Sequence, residues 1–301
     1  MRKILILGGS GFIGRYIFQA LGADRSTVTY NLSNISKGIH FNALEMSIDD
    51  LPINLIDYSH CIILLGVTSP DYCVNNPEAS RHLNVTLIKK IIDDLISHEI
   101  IPVFTSTEAV FDGQDGQYTE ETVPKPSLVY GQQKREIENY LEKHVNEFLI
   151  VRIAKVYSTD PDEASLLKNW FTQINLGGQT IHCANDFFSS AIHVQDVAET
   201  IFKLIDGQHS GIFHVGGPHV LSHLDMIETL IKEMKSKNLP VDVNIVPCSI
   251  DDFPTVEPRP KNISMNTDKL IQATGIMPQD ISMSCRDLVA HAQPKTANRS
   301  A

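Results

Sequence analysis

Tyr130-Gly-Gln-Gln-Lys134 sets a phenol and an ammonium four residues apart. On a helix that spacing brings both to one face. A free phenol, with a pKa of about 10, is a poor acid–base catalyst at neutral pH. A neighbouring cation favours the phenolate and lowers that value. Thr107, directly after Phe104-Thr105-Ser106, carries a hydroxyl that could share a substrate oxygen with the phenol and complete a proton relay. Thr107, Tyr130 and Lys134 are therefore the expected catalytic residues. A Tyr/Lys pair alone is more often part of a solvated helix face. Its meaning here comes from what accompanies it.

The companion is Gly8-Gly9-Ser10-Gly11-Phe12-Ile13-Gly14, which follows the first apolar run and opens the first amphipathic stretch. Gly8 permits a tight turn, Gly11 lets backbone approach a pyrophosphate, and Gly14 allows close helix–strand packing. The helix N-terminus then faces the anion. In strand–loop–helix context this predicts a dinucleotide site. The second strand, Thr27-Val-Thr-Tyr-Asn31, should choose between nicotinamide cofactors. A carboxylate at its end would hold a ribose 2′-hydroxyl. Asn31, with Ser33 and Lys37 close behind, tolerates a 2′-phosphate instead, so NADP(H) is favoured over NAD(H).

These groups need a frame. Lys3 to Leu7, Thr27 to Asn31, Cys61 to Val67, Ile101 to Thr105 and Phe148 to Ile153 read as strands. Gly11 to Leu21, Pro77 to His98 and Leu128 to His144 read as helices. Such alternation means a parallel sheet with crossover helices on both faces, which binds ligands beyond the carboxyl ends of its strands. The expected fold is α/β: a Rossmann-type doubly wound parallel sheet over residues 1–158, with a smaller C-terminal α/β substrate lobe. That lobe, residues 159–293, is expected to return in part to the Rossmann core. Residues 294–301 read as a flexible tail.

The chain has 301 residues, 42% of them hydrophobic and 20% charged, with a formal net charge of -11. Such a balance argues against nucleic-acid or anionic-membrane partners. Met1-Arg2-Lys3 and the apolar run after it stop at Gly8-Gly9, too short for a signal peptide, and Cys61 to Val67 is far short of a membrane span. The five cysteines show no CxxC spacing, which suits a reducing, cytoplasmic setting.

Several segments together resemble the extended short-chain dehydrogenase/reductases, and within them the dTDP-4-dehydrorhamnose reductase group. Ser106-Thr-Glu-Ala-Val-Phe-Asp-Gly113 resembles that group's STDYVFDG segment, and Asp71 to Glu78 its DxCExNPE loop, with Asn84 following where a family Asn helps shape the active site. Pro124 to Lys134 resembles PxxxYGxxK, Val151 to Tyr157 the strand LRxxxVYG, and Arg259 to Asn266 the RPxNSxLD stretch. The resemblance implies a Rossmann domain, a lobe binding a nucleotide-sugar, and Thr107, Tyr130 and Lys134 as the catalytic triad. The expected cofactor contacts are Gly8, Gly11, Phe12, Ile13, Gly14, Asn31, Ser33, Asn42, Leu65 and Gly66, with Tyr130 and Lys134. Thr68, Thr107, Tyr130, Lys155 and Arg259 are the expected substrate contacts. Three departures stand out. Lys155 occupies the place of a Trp, Asn31 and Asn42 stand where Asp is frequent, and Asp280 to Ala290 lacks the carboxylate cluster of metal-bridged dimers. A homodimer is left open on that basis, and no metal is expected.

The function expected is therefore NAD(P)H-dependent reduction of a keto group on a nucleotide-activated sugar. Epimerisation with a transiently used cofactor and a catalytically silent regulatory subunit are the alternatives. Dehydration is disfavoured because Ala109 follows Glu108, where dehydratases carry an acid pair, and a silent subunit has no need of all three catalytic groups. His219-Val-Leu-Ser-His223 has helical spacing but no intervening Glu and no third ligand, and His182 and His193 read as satisfied core or loop residues.

Overall fold

The first strand, β1 (Lys3–Leu7), is apolar on both faces: Ile4 and Ile6 enter one core, Leu5 and Leu7 the other. A strand so buried needs helices on both sides of its sheet, and the chain supplies them. The computed structural model describes residues 2–160 and 163–291; the tail expected at 294–301 lies outside them. After β1 come α1 (Phe12–Leu21), β2 (Ser26–Tyr30), β3 (Ile39–His40), β4 (Tyr58–Ile63), α2 (Pro70–Asn75) and α3 (Pro77–Arg81). A π-helical turn (His82–Thr86) joins α3 to α4 (Leu87–Ser97), followed by β5 (Ile101–Thr107), α5 (Val129–His144), β6 (Leu149–Ile153) and β7 (Val156–Tyr157). Then come α6 (Leu166–Leu176), β8 (Gln179–Ala184), β9 (Phe188–Ser189), β10 (Ile192–His193), α7 (Val194–Asp206) and β11 (Gly211–Val215). The last elements are β12 (Leu221–Ser222), α8 (His223–Ser236), β13 (Val243–Cys248), α9 (Asp268–Thr274) and α10 (Ile281–His291).

Seven strands form one parallel sheet in the order β11-β6-β5-β4-β1-β2-β3. This is the doubly wound Rossmann-type α/β fold. The chain runs outward from β1 to β3, then restarts on the other side of β1 with β4. The switch point between β1 and β4 opens a crevice at their carboxyl ends. On one face α1 and α7 bury Ile17, Ile201 and Leu204. On the other, α4 and α5 bury Ile92, Leu95, Ile137 and Leu141. A third core joins α6, α8 and α10 through Trp170, Phe171, Leu230 and Leu288. The parallel pair β8–β13 lies beside it.

Three elements differ from their expected extents. The helix expected over 77–98 is split by the π-helical turn, whose extra residue per turn swings Asn84 inward. The strand expected over 61–67 begins at Tyr58 and ends at Ile63. Leu64 donates its backbone N–H to Leu7, after which the chain leaves the sheet because Asn84 takes over the backbone of Val67. His219 and His223 do not share a helical turn: Leu221–Ser222 is strand and His223 opens α8.

Candidate active site

At the end of β1 the chain turns through Gly8 to Gly11 into α1. Gly11 is the N-cap and brings no side-chain cap, so the first N–H groups of α1 are open to an anion. Gly14 allows the close packing: a Cβ there would sit 2.6 Å from the Gly9 Cα and 2.8 Å from the Gly8 carbonyl. Gly8, Gly11, Phe12, Ile13 and Gly14 form one wall of a cleft of about 700 Å3.

The opposite wall comes from β5 and α5. Thr107 ends β5, and its hydroxyl accepts from the Ala109 N–H at 3.2 Å. Tyr130 and Lys134 lie on one face of α5 and are 8% and 5% exposed. Gly131 lets α5 approach this closely, since a Cβ there would meet the Ala109 carbonyl at 2.0 Å. No side chain of Leu128 caps α5. Instead Glu257, from the proline-rich loop between Pro254 and Pro260, accepts from the Val129 N–H at 3.1 Å, tying that loop to the helix.

The electrostatics of the trio differ from the expected ones in one respect. Burial pushes the Tyr130 phenol well above its ordinary value, and its hydrogen bond with Thr107 is what pulls the other way. The Lys134 ammonium lies 6.0 Å from the Tyr130 ring centroid, 4.6 Å from the Phe104 ring, and donates to the Thr105 carbonyl at 2.9 Å. Burial draws Lys134 down to about 8, with Glu138 opposing. Thr107, rather than the ammonium, is thus the group that favours phenol ionisation.

Thr68, Glu108, Lys155, Phe187 and Arg259 also line the cleft. Burial drives Glu108 up to about 8, Lys155 lowering it in part, and its Oε2 has no hydrogen-bond partner. Arg259 Nη2 donates to Asp71 at 2.7 Å, while its buried Nη1 has no partner. Asp71 also accepts from the Val256 N–H at 3.1 Å, and Arg259 holds its carboxyl below the usual range.

Most of the residues singled out in the sequence meet here. Gly8, Gly11, Phe12, Ile13, Gly14, Leu65, Thr68, Thr107, Tyr130, Lys134, Lys155 and Arg259 all line the one cleft. Four do not line it. Asn31 and Ser33 are exposed just beyond β2. Asn42 turns its Oδ1 to the Leu44 N–H at 3.2 Å. Gly66 lies against Asn84, whose Oδ1 accepts from Val67 at 2.7 Å and whose Nδ2 donates to Gln133 at 2.7 Å. The Asn84–Gln133 link and the buried state of Glu108 were not foreseen. The first is hinted at by an amide inside α5, Gln133, and the second by an acid beside Thr107.

Residues 1–293 match the family described as "RmlD substrate binding domain". The chain belongs to this family. Among RmlD-type relatives, the dTDP-4-dehydrorhamnose reductase of Aggregatibacter actinomycetemcomitans is 23% identical over 304 residues, spanning 97% of this chain and 100% of that protein. Methionine adenosyltransferase 2 subunit beta of Bos taurus is 24% identical over 286 residues, 89% of this chain and 81% of the relative. The dTDP-4-dehydrorhamnose reductase of Bacillus anthracis, solved in complex with NADP, superimposes with a TM-score of 0.78 at 19% identity, covering 96% of this chain and 99% of that one. At that identity the likeness is one of fold. Among the described residues no helix is long and apolar enough to cross a membrane, and no cluster of three or more potential metal ligands occurs.

Proposed function

We propose that this RmlD-family chain is an NAD(P)H-dependent reductase of a keto group on a nucleotide-activated sugar, of the dTDP-4-dehydrorhamnose reductase type. The observation that carries the reading is the convergence of Thr107, Tyr130 and Lys134 on the same cleft as the Gly8–Gly14 turn. The uncapped start of α1 and the Gly14 close approach suit a dinucleotide pyrophosphate. A nicotinamide cofactor bound there supplies the hydride. Tyr130 gives its proton to the substrate oxygen as charge develops on it, and Thr107 shares that oxygen. Lys134 would hold the nicotinamide ribose with its ammonium. Lys155 and Arg259 are the cations assigned to the substrate, and Thr68 lines the same cleft. NADPH is preferred to NADH, because no carboxylate stands at the end of β2 to repel a 2′-phosphate. Unpaired cysteines suit a cytoplasmic setting for the same enzyme.

The test is Tyr130→Phe, assayed with NADPH and dTDP-4-dehydrorhamnose. Turnover should fall by roughly 10^2 to 10^4, the size of a general-acid contribution, while NADPH binding stays near the parent value. Near-parent turnover in this variant would remove the reading.

A further inference from the structure

Behind Lys134 lies a buried ionic cluster that the proton relay leaves unused. Glu138, one helical turn further along α5, is completely buried. Its Oε1 accepts from the Ser106 hydroxyl at 2.6 Å and from Arg152 Nε at 3.0 Å. Its Oε2 accepts from Arg152 Nη2 at 2.9 Å and from Arg135 Nη1 at 2.9 Å. Arg152, on β6, is buried as well, with Nη1 3.2 Å from His214 Nε2 on β11 and its guanidinium 5.3 Å from the Phe111 ring centroid. Groups from β5, α5, β6 and β11 therefore join around one carboxylate.

A buried ion pair is weak evidence for stability, because apolar residues of similar volume often serve as well or better. The placement of this one suggests another use. Ser106 is the residue before Thr107, so a bond to Ser106 fixes the strand end that aims the Thr107 hydroxyl. Glu138 follows Lys134 by four residues and Tyr130 by eight, on the same face of α5. Lys134 makes no ion pair at contact distance among the described residues; its partners are the Thr105 carbonyl and the Phe104 ring. The titratable groups facing it are Tyr130 and Glu138 from α5 and the Cys73 thiol from α2. Burial disfavours its ammonium, and Glu138 is the foremost charge opposing that effect.

We propose that Glu138 is a positioning residue of the active site: clamped by Arg152 and Arg135, it locks Ser106 beneath Thr107 and supplies the fixed negative charge that keeps Lys134 an ammonium able to hold a dinucleotide. This rests on the reading above only for the role of Lys134 toward the cofactor. The sign follows from linkage. Lys134 loses its proton as pH rises through about 8. Removing the charge that opposes burial brings that loss to lower pH.

The experiment measures the NADPH dissociation constant by cofactor fluorescence, from about pH 6 to about pH 9.5, on the full chain. Glu138→Gln is compared with the parent, and with the double variant Glu138→Gln/Arg152→Met. The double variant removes the buried cation with its partner and so leaves no orphaned charge. Parent binding should weaken through about pH 8. In Glu138→Gln the weakening should move to lower pH by about half a unit to one unit, and in the double variant in the same direction by less, because a cation leaves with the carboxylate; affinity near pH 6 should change less than about threefold in both. A folded variant that titrates at the parent midpoint overturns the proposal, whatever its melting temperature. A parent whose NADPH affinity does not weaken over this range overturns it as well. If the single variant does not fold, the double variant decides. NADPH binding that behaves as expected without reduction of any sugar would sink the reductase reading and leave this inference standing. Full reductase activity with an unmoved midpoint would do the reverse.

Discussion

Asn31 is one exposed amide, yet the proposed preference for NADPH turns on it. The strand β2 ends at Tyr30, and Asn31, Ser33 and Lys37 lie exposed in the turn beyond it. A carboxylate at the end of this strand accepts hydrogen bonds from a ribose 2′-hydroxyl and repels a 2′-phosphate. Asn31→Asp should therefore weaken NADPH and strengthen NADH enough to reverse their order, read as the ratio of the two dissociation constants. A ratio equal to the parent's would show that Asn31 does not lie beside the ribose. At this scale the sequence was informative where a side chain acts through its own chemical type. A glycine before a helix, or Tyr and Lys at helical spacing, announces its chemistry locally. Glu138 does not: its meaning lies in Ser106 and Arg152, which are 32 and 14 residues away in the chain.

The segment from α3 to α4 shows what the element scale adds. Apolar periodicity over 77–98 predicts one continuous helix, and the amphipathic face of α4 follows it, with Ile88, Ile92 and Leu95 buried. What periodicity does not register is the one-residue widening at His82–Thr86. It changes the helix by a single inserted position and leaves the apolar faces on either side intact. That widening carries Asn84 to a buried site. There it accepts from the Val67 N–H, donates to the Val67 carbonyl at 3.0 Å, and donates to Gln133 on α5. One amide thus joins the loop after β4 to α5. Asn84→Ala would leave these buried backbone and amide groups unpaired, at a cost of about 2 to 3 kcal/mol. Chemical denaturation should show that loss as a lower midpoint. NADPH should also bind more weakly, because Leu65 and the residues next to it flank the cleft. Unchanged stability would mean that water replaces the amide without cost.

At the scale of the whole molecule the difficulty is charge. The protein carries a formal net charge of -11, so attraction for the anionic nucleotide-sugar of the proposed reaction has to be local. The loop from Pro254 to Pro260 is the proposed source. Glu257 fastens this loop to the first turn of α5, Asp71 fastens Arg259, and the guanidinium is left with one buried arm unpartnered at the cleft. A guanidinium held on one side by a carboxylate presents its remaining N–H groups in fixed directions, which suits the oxygens of a diphosphate. Lys155 lines the same cleft near Glu108. Arg259→Ala should therefore weaken ground-state and transition-state binding alike, raising KM for dTDP-4-dehydrorhamnose well above any fall in kcat. Asp71→Ala offers the contrast. It keeps the cation but frees it to move, so KM should rise less than in Arg259→Ala. Steady-state kinetics of both variants at saturating NADPH separate the two contributions. If Arg259→Ala leaves KM for the nucleotide-sugar unchanged while NADPH binding stays intact, the diphosphate is held by other groups, and the loop's anchorage to α5 serves the helix alone.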